Sequence, residues 1–362
     1  MKLKIPESVL EIDPYVPGKP MEELEREYGV RNSIKLASNE NPLGPSPKAM
    51  EAVGKAVMNL HRYPDGSGHD LIGKLAGHLA VEPENIVIGN GSDDIIGILS
   101  TAFLRPGHEA VMPKPSFLMY DIAVKCMGAR SVPVPLKNLC MDLEAMAKAV
   151  NENTRLVFIC NPNNPTGTCV STEALEAFIQ SLPEHVITVV DEAYIEFARD
   201  QACRSAITLL SKGYPLVALR TFSKLYGLAG LRVGYGVMPE AIAGIVNRVR
   251  HPFNVNALAQ AGAQAALEDA EYVEKTLRIV HEGLDFLFAA LKDMGIPCFP
   301  TQANFFLIDI QKNADDVYQE MLREGVIVRS MTSYGYPRYL RISVGLPDEN
   351  QRLLAALKKV RG

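Results

Sequence analysis

Short apolar strands alternate with helical segments from about residue 47 to residue 220, and that alternation leaves the chain few ways to fold. Helical patterning is expected over 47–60, 70–79, 93–103 and 116–127. Between these lie apolar, β-rich runs at 85–89, 109–112, 155–160, 186–190 and 216–220, bounded by turn residues. Strands joined in this way through helices pair mainly in parallel, and a parallel sheet needs cover on both faces. The expected fold class is therefore α/β, a large domain with a mainly parallel sheet covered by helices. A long helical stretch follows over 257–294 with no proline inside it. Strands at 305–309, 326–329 and 339–343 and a closing helix at 349–360 read as a smaller α+β domain. The first residues form an acidic arm punctuated by proline, with a short helix at 21–28. The expected division is an arm over 1–34 that packs with the small domain, a large domain over 35–255 and a small domain over 256–362.

Composition narrows the function. The 362 residues are 47% hydrophobic and 22% charged, an ordinary globular balance. A net charge of −5 leaves no basic footprint for nucleic acid or an anionic membrane. No apolar run approaches the roughly 18 residues of a membrane span, and the opening residues lack the apolar core of a signal peptide. The expected location is the cytoplasm. Cysteines stand at 126, 140, 160, 169, 203 and 298 without a CxxC pair or a zinc pattern. They are expected to be reduced thiols, and no metal is expected.

Chemistry collects around Lys224, in Arg220-Thr-Phe-Ser-Lys-Leu-Tyr-Gly-Leu-Ala-Gly-Leu-Arg232. Two hydroxyls, Thr221 and Ser223, precede the lysine, and Arg232 follows it. A lysine amine can join a carbonyl cofactor such as pyridoxal phosphate, while hydroxyls and a guanidinium hold a phosphate. Ligands of open α/β sheets bind outside the carboxyl ends of the strands, and two such ends carry suitable groups. Asn161 opens the turn Asn161-Pro-Asn-Asn-Pro-Thr-Gly167 and is expected to reach a cofactor ring oxygen. Asp191 ends the apolar run Val186-Ile-Thr-Val-Val-Asp191. A carboxylate is costly to bury unpaired there, and a protonated pyridine nitrogen would suit it. Tyr194 follows within reach of the cofactor phenolate oxygen. Gly89-Asn-Gly-Ser-Asp93 is a strand, a glycine turn and a helix start, so the Ser92 and Asp93 amides are expected at the phosphate. Phe117 is expected to stack on the cofactor ring.

As an ordered set, Asn-Pro-Asn-Asn-Pro-Thr-Gly, Asp-Glu-Ala-Tyr and Ser-Lys…Gly-Leu-Arg are highly specific. With Leu36-Ala-Ser-Asn-Glu-Asn-Pro-Leu-Gly44 and Leu340-Arg-Ile-Ser-Val-Gly345 they cover almost the whole chain. It resembles the fold-type-I pyridoxal-phosphate aminotransferases and, within them, the branch acting on histidinol phosphate. The resemblance implies pyridoxal 5'-phosphate held by Lys224 as a Schiff base, with Asp191 on the ring nitrogen and Asn161 and Tyr194 on the ring oxygen. It places Phe117 against the ring, where a tyrosine or tryptophan is common. It surrounds the phosphate with Ser92, Asp93, Thr221, Ser223 and Arg232. It also implies a homodimer in which Tyr63 crosses to the partner's cofactor phosphate. Arg341 and Arg329 are implied as substrate-anion ligands, and Tyr15 as a tyrosine closing over the substrate phosphate. The family usually carries Asp-Glu where this chain has Asp93-Asp94. The implied substrates are small molecules, a phosphorylated amino alcohol and 2-oxoglutarate, with glutamate as product. An aromatic aminotransferase and a threonine-phosphate decarboxylase would share these residues and stay open as alternatives. A non-catalytic sensor of the same fold would need a DNA-binding segment, and no basic helix-turn-helix is left over.

Overall fold

A seven-stranded sheet forms the middle of the larger part, in the computed structural model of residues 3–14 and 18–361. Its strands run in the order Ile86–Gly89, Gly234–Val237, Leu216–Thr221, Ile187–Asp191, Thr154–Cys160, Glu109–Lys114 and Arg130–Pro135. All neighbours pair in parallel except Gly234–Val237, which is antiparallel to both of its partners. Patterning did not reveal that strand, because glycine is a poor strand former. Here the glycine is required. A Cβ on Gly234 would sit 2.5 Å from the Ser92 nitrogen, so only glycine lets the helix Ser92–Phe103 start this close to the sheet. The strand Arg130–Pro135 was also unforeseen. It lies at the edge, where its prolines are tolerated.

Three parallel strands end together. Cys160 lies opposite Asp191, and Asp191 opposite Leu219. The Asn161 N–H donates to the Asp191 carbonyl at 2.9 Å, and the Glu192 N–H to the Leu219 carbonyl at 2.9 Å. The turn at 161–167, Asp191 and the segment from Thr221 to Lys224 therefore leave the sheet side by side. Arg220 braces these ends from below, pairing with Glu192 at 2.8 Å and Glu196 at 2.7 Å.

The smaller part holds the antiparallel sheet Arg329–Ser330, Tyr339–Ser343 and Phe305–Asp309. The arm joins it through Ile34–Lys35, which pairs in parallel with Val326–Ile327. Leu24 of the helix Met21–Tyr28 buries against Ala37, Leu322 and Ile327. The very first helix, Glu7–Leu10, departs from the expectation for the arm. It lies against Met119–Cys126 of the larger part, where the Lys125 ammonium donates to the Glu11 carbonyl at 3.2 Å.

The stretch 257–294 is not one helix. Ala257–Ala266 and Ala270–Asp293 are separated by a turn at 267–269. The buried Asp269 turns its carboxylate onto the Ser46 hydroxyl at 2.6 Å, which draws the chain out of helical register. Ala257–Ala266 packs on Pro47–Ala56 and His69–Leu79, so it sits with the larger part, beyond the boundary expected at residue 255. The long helix that follows packs on Pro347–Arg361.

Candidate active site

The strand ends, the start of Ser92–Phe103 and the segment at 37–40 enclose a cleft of about 280 Å³. The segment reaches it because Leu36 and Asn39 are bonded to Ser343, which holds this stretch beside the last strand of the smaller part. Lys224, Ser92, Asp93, Phe117, Asp191, Tyr194, Thr221, Ser223, Arg232, Arg329 and Arg341 all line the cleft.

One end is a seat for an anion. The Thr221 hydroxyl donates to Ser223 at 2.9 Å, and both residues are buried. Arg232 is fixed by Asp93 at 2.8 Å. A Cβ on Gly91, which has φ of 90°, would meet the Arg232 guanidinium at 2.5 Å, so glycine keeps backbone close to the seat. The helix start at Ser92 adds its partial positive charge.

Asp191 stands at the other end, 4% exposed. Burial raises its carboxyl to about 6, against the pull of hydrogen bonds from the Tyr120 hydroxyl at 2.8 Å and the Ala193 N–H at 3.2 Å. A cationic partner in the cleft would restore its charge. Sequence reasoning overlooked Tyr120, which stacks on Phe158 at 4.8 Å and meets the Phe117 edge. Its helical position reads simply as core. We expect Tyr120→Phe to keep the stack but lose the hydroxyl. A hydrogen bond to a charged group is worth about 1.5–3 kcal/mol, so pyridoxal phosphate should bind about ten- to a hundredfold more weakly. Equilibrium dialysis measures this, and an unchanged Kd would separate Tyr120 from the site.

Lys224 lines the same cleft. Its Nζ donates to the Ser38 carbonyl at 3.1 Å and sits 5.7 Å from the Tyr194 ring centroid. Burial, then the charge of Arg341, pushes the amine down to about 8 from an ordinary 10.5. Glu40 acts the other way. The neutral, nucleophilic form thus emerges as pH rises through about 8. We expect covalent capture of pyridoxal phosphate by the cofactor-free protein to accelerate across that pH and then level off. Borohydride trapping at a series of pH values follows it, and a midpoint near 10.5 would contradict the environment described.

One expected contact fails. The Asn161 amide is consumed by the backbone of Val170, donating to its carbonyl at 3.1 Å and accepting from its N–H at 2.9 Å. Asn161 does not line the cleft; it closes the turn. Asn163 is spent likewise on Ser116 and Thr166. Asn164 is the asparagine of this turn that lines the cleft, where it accepts from Arg341 at 2.6 Å. Proximity to the strand end misled the choice. The turn doubles back before it delivers a side chain. Tyr194 keeps its place, its hydroxyl accepting from Asn39 at 3.1 Å.

The two arginines meet because Arg329 pairs in register with Arg341 across the small antiparallel sheet. Arg341 is 7% exposed, donates to the Ala37 carbonyl at 2.6 Å and lies over the Phe305 ring at 5.2 Å. Tyr63 does not line this cleft. It is 83% exposed and stacks on Phe253 at 4.9 Å. Tyr15 lies outside the described residues. The cysteines depart from the expectation of free thiols, since Cys169 and Cys203 form a disulfide. The segments after adjacent strands run together there, with Thr172 N–H bonded to the Ala202 carbonyl at 2.8 Å, a proximity that a separation of 34 residues concealed.

The model for aminotransferase class I and II matches residues 31–357. The chain belongs to the class I and II aminotransferases. Within this aminotransferase family it is 50% identical to a histidinol-phosphate aminotransferase of Desulfotalea psychrophila, over 99% of this chain and 95% of that one. A relative of the same description from Moorella thermoacetica is 46% identical over 99% and 93%. The crystal structure of histidinol-phosphate aminotransferase from Sinorhizobium meliloti in complex with pyridoxal-5'-phosphate superposes with a TM-score of 0.90. It is 32% identical, over 98% of this aminotransferase chain and 96% of that one. The donor set fits that cofactor. The anion seat matches a phosphate, Asp191 a protonated ring nitrogen and the Lys224 amine a carbonyl. Among the described residues no cluster of histidine, cysteine or carboxylate could hold a metal, and no helix is long and apolar enough to cross a membrane.

Proposed function

We propose that this aminotransferase moves the amino group of L-histidinol phosphate to 2-oxoglutarate, giving imidazole acetol phosphate and L-glutamate in histidine biosynthesis. The observation that carries this reading is the pairing of Arg329 with Arg341 in a cleft that already has a separate anion seat. A cofactor phosphate takes the seat at Ser92, Thr221, Ser223 and Arg232. The two guanidiniums lie beside that seat as planar forks suited to substrate anions, a phosphomonoester in one half-reaction and carboxylates in the other. The high identity to relatives of that description supports the same choice.

Pyridoxal phosphate, when bound, supplies an electrophilic carbonyl and a ring that withdraws electrons from the donor's Cα. The residues of the chain do the rest. Lys224 would hold the cofactor through Nζ and be freed when a donor amine takes its place. The freed amine, its pKa already lowered, takes the Cα proton and holds it for return. Asp191 would keep the ring nitrogen protonated, and Tyr120 fixes the carboxylate. Tyr194 and Asn164 would hold the ring oxygen, and Phe117 would cover a ring face. Arg341 anchors the substrate acid group.

A homodimer belongs to this reading. Tyr63 lies exposed on Phe253, itself 45% exposed, and Met58 and Leu60 close by in sequence are also exposed. Such apolar exposure marks an interaction surface, and Tyr63 would reach the partner's phosphate seat from it. The cytoplasm, where such amino-acid biosynthesis takes place, is the proposed location.

A donor panel tests the proposal. Purified protein with pyridoxal phosphate and 2-oxoglutarate should form glutamate from histidinol phosphate, with little from phenylalanine or tyrosine. Carbon dioxide release from threonine phosphate without need of an oxo acid, or a preference for the aromatic donors, would overturn it.

A further inference from the structure

Three acidic residues line the cleft, and two of them are committed. Asp93 is held by Arg232, and Asp191 is buried against Tyr120. Glu40 is the third. Its side chain is 45% exposed, and the residue also borders a second hollow, lined by Lys35, Asn41 and Glu349 among others. It therefore stands at the mouth, between the cleft and its approach. Lys35 holds Oε1 at 3.0 Å. A carboxylate offers about four lone-pair sites, so this contact fixes the group and leaves acceptor capacity.

The remaining cleft is cationic at its centre, with Lys224, Arg329 and Arg341 facing one space. Those groups serve anions. The part of histidinol phosphate they cannot serve is the imidazole, whose N–H needs an acceptor. We propose that the Glu40 carboxylate is the specificity-determining acceptor for the imidazole N–H of the donor. The inference rests on the function proposed above and deepens it. A phenyl ring in the same position offers no hydrogen-bond donor and would leave a partly desolvated carboxylate unmatched, which disfavours it. Glutamate presents a second carboxylate instead, and Glu40 would repel it. The residue thus favours the phosphorylated donor in one half-reaction and contributes nothing attractive to the other.

Glu40 also acts electrostatically on Lys224, favouring its protonated form. An effect through the lysine alone would change both half-reactions together, and this separates the two roles. The test uses the full-length holoenzyme and single half-reactions followed by cofactor absorbance. E40Q keeps an amide acceptor but removes its charge, and should lower kcat/KM for histidinol phosphate about three- to tenfold, the difference between a charge-assisted and a neutral hydrogen bond. The same variant should leave the glutamate half-reaction unchanged or faster, and E40D should recover part of the loss. Equal losses with both substrates, or no loss with histidinol phosphate, would overturn the proposal. A wild-type enzyme that reacts with glutamate but not with histidinol phosphate overturns the parent reading and this one with it. A wild type active with both, paired with a symmetric E40Q, overturns this one alone.

Discussion

Lys224→Ala should abolish amino transfer, with kcat lower by about 10⁴-fold or more. General base catalysis alone contributes about 10²–10⁴-fold, and this lysine also supplies the covalent hold on the cofactor. Its position supports both roles, since the amine lines the cleft that also holds the anion seat and Asp191, with its pKa lowered to about 8. The visible absorbance of the wild-type holoenzyme should be lost, and borohydride should no longer fix cofactor to the chain. Pyridoxal phosphate should still bind reversibly, because Ser223, Arg232 and Asp191 are untouched. A variant retaining a borohydride-reducible linkage would place the reactive amine elsewhere.

Arg341→Ala should reduce kcat/KM in both half-reactions by about 10²-fold, since truncating a buried, hydrogen-bonded charge costs at least about 2–5 kcal/mol. Three consequences combine. The substrate acid group loses its fork. Asn164, which accepts from Arg341 at 2.6 Å, loses the donor that orients it. Lys224 loses a nearby positive charge that lowers its pKa, so its titration should move upward and less neutral amine should remain near neutrality. Arg341→Lys keeps charge without the planar fork and should restore the lysine titration better than substrate binding. Stopped-flow rates with histidinol phosphate and with glutamate measure both halves. A loss confined to one substrate would show that Arg341 does not serve both anions.

Much of the site was legible because its groups are local in sequence. Thr221, Ser223, Lys224 and Arg232 lie within a single strand-turn-strand segment, and Asp191 closes a mostly apolar, fully buried strand. Strand ends are legible from patterning, and the sheet brings parallel ends to one edge by construction. Directions within turns are not. Asn161, Asn163 and Asn164 are chemically alike and adjacent, and only hydrogen bonding to Val170, Ser116 and Arg341 assigns one to the cleft. Tyr120 was illegible for a different reason. A tyrosine on the apolar face of a helix reads as core, and its hydroxyl matters only because the Asp191 carboxylate lies 2.8 Å away. The break at 267–269 followed from Asp269 bonding Ser46, a partner 223 residues distant.

By itself the sequence determined the fold class and the cofactor chemistry and singled out Lys224 as the candidate lysine, because strand–helix alternation and short-range motifs act over a few residues. Tertiary structure alone decided which asparagine faces the cleft, what braces Asp191, how Arg329 comes to lie beside Arg341, and that Cys169 joins Cys203. Each of these depends on two segments, far apart in the chain or folded back on each other, arriving within about 3 Å of one another or closer. No local pattern encodes such a distance. The packing of the sheet ends and the pairing of the small strands set it.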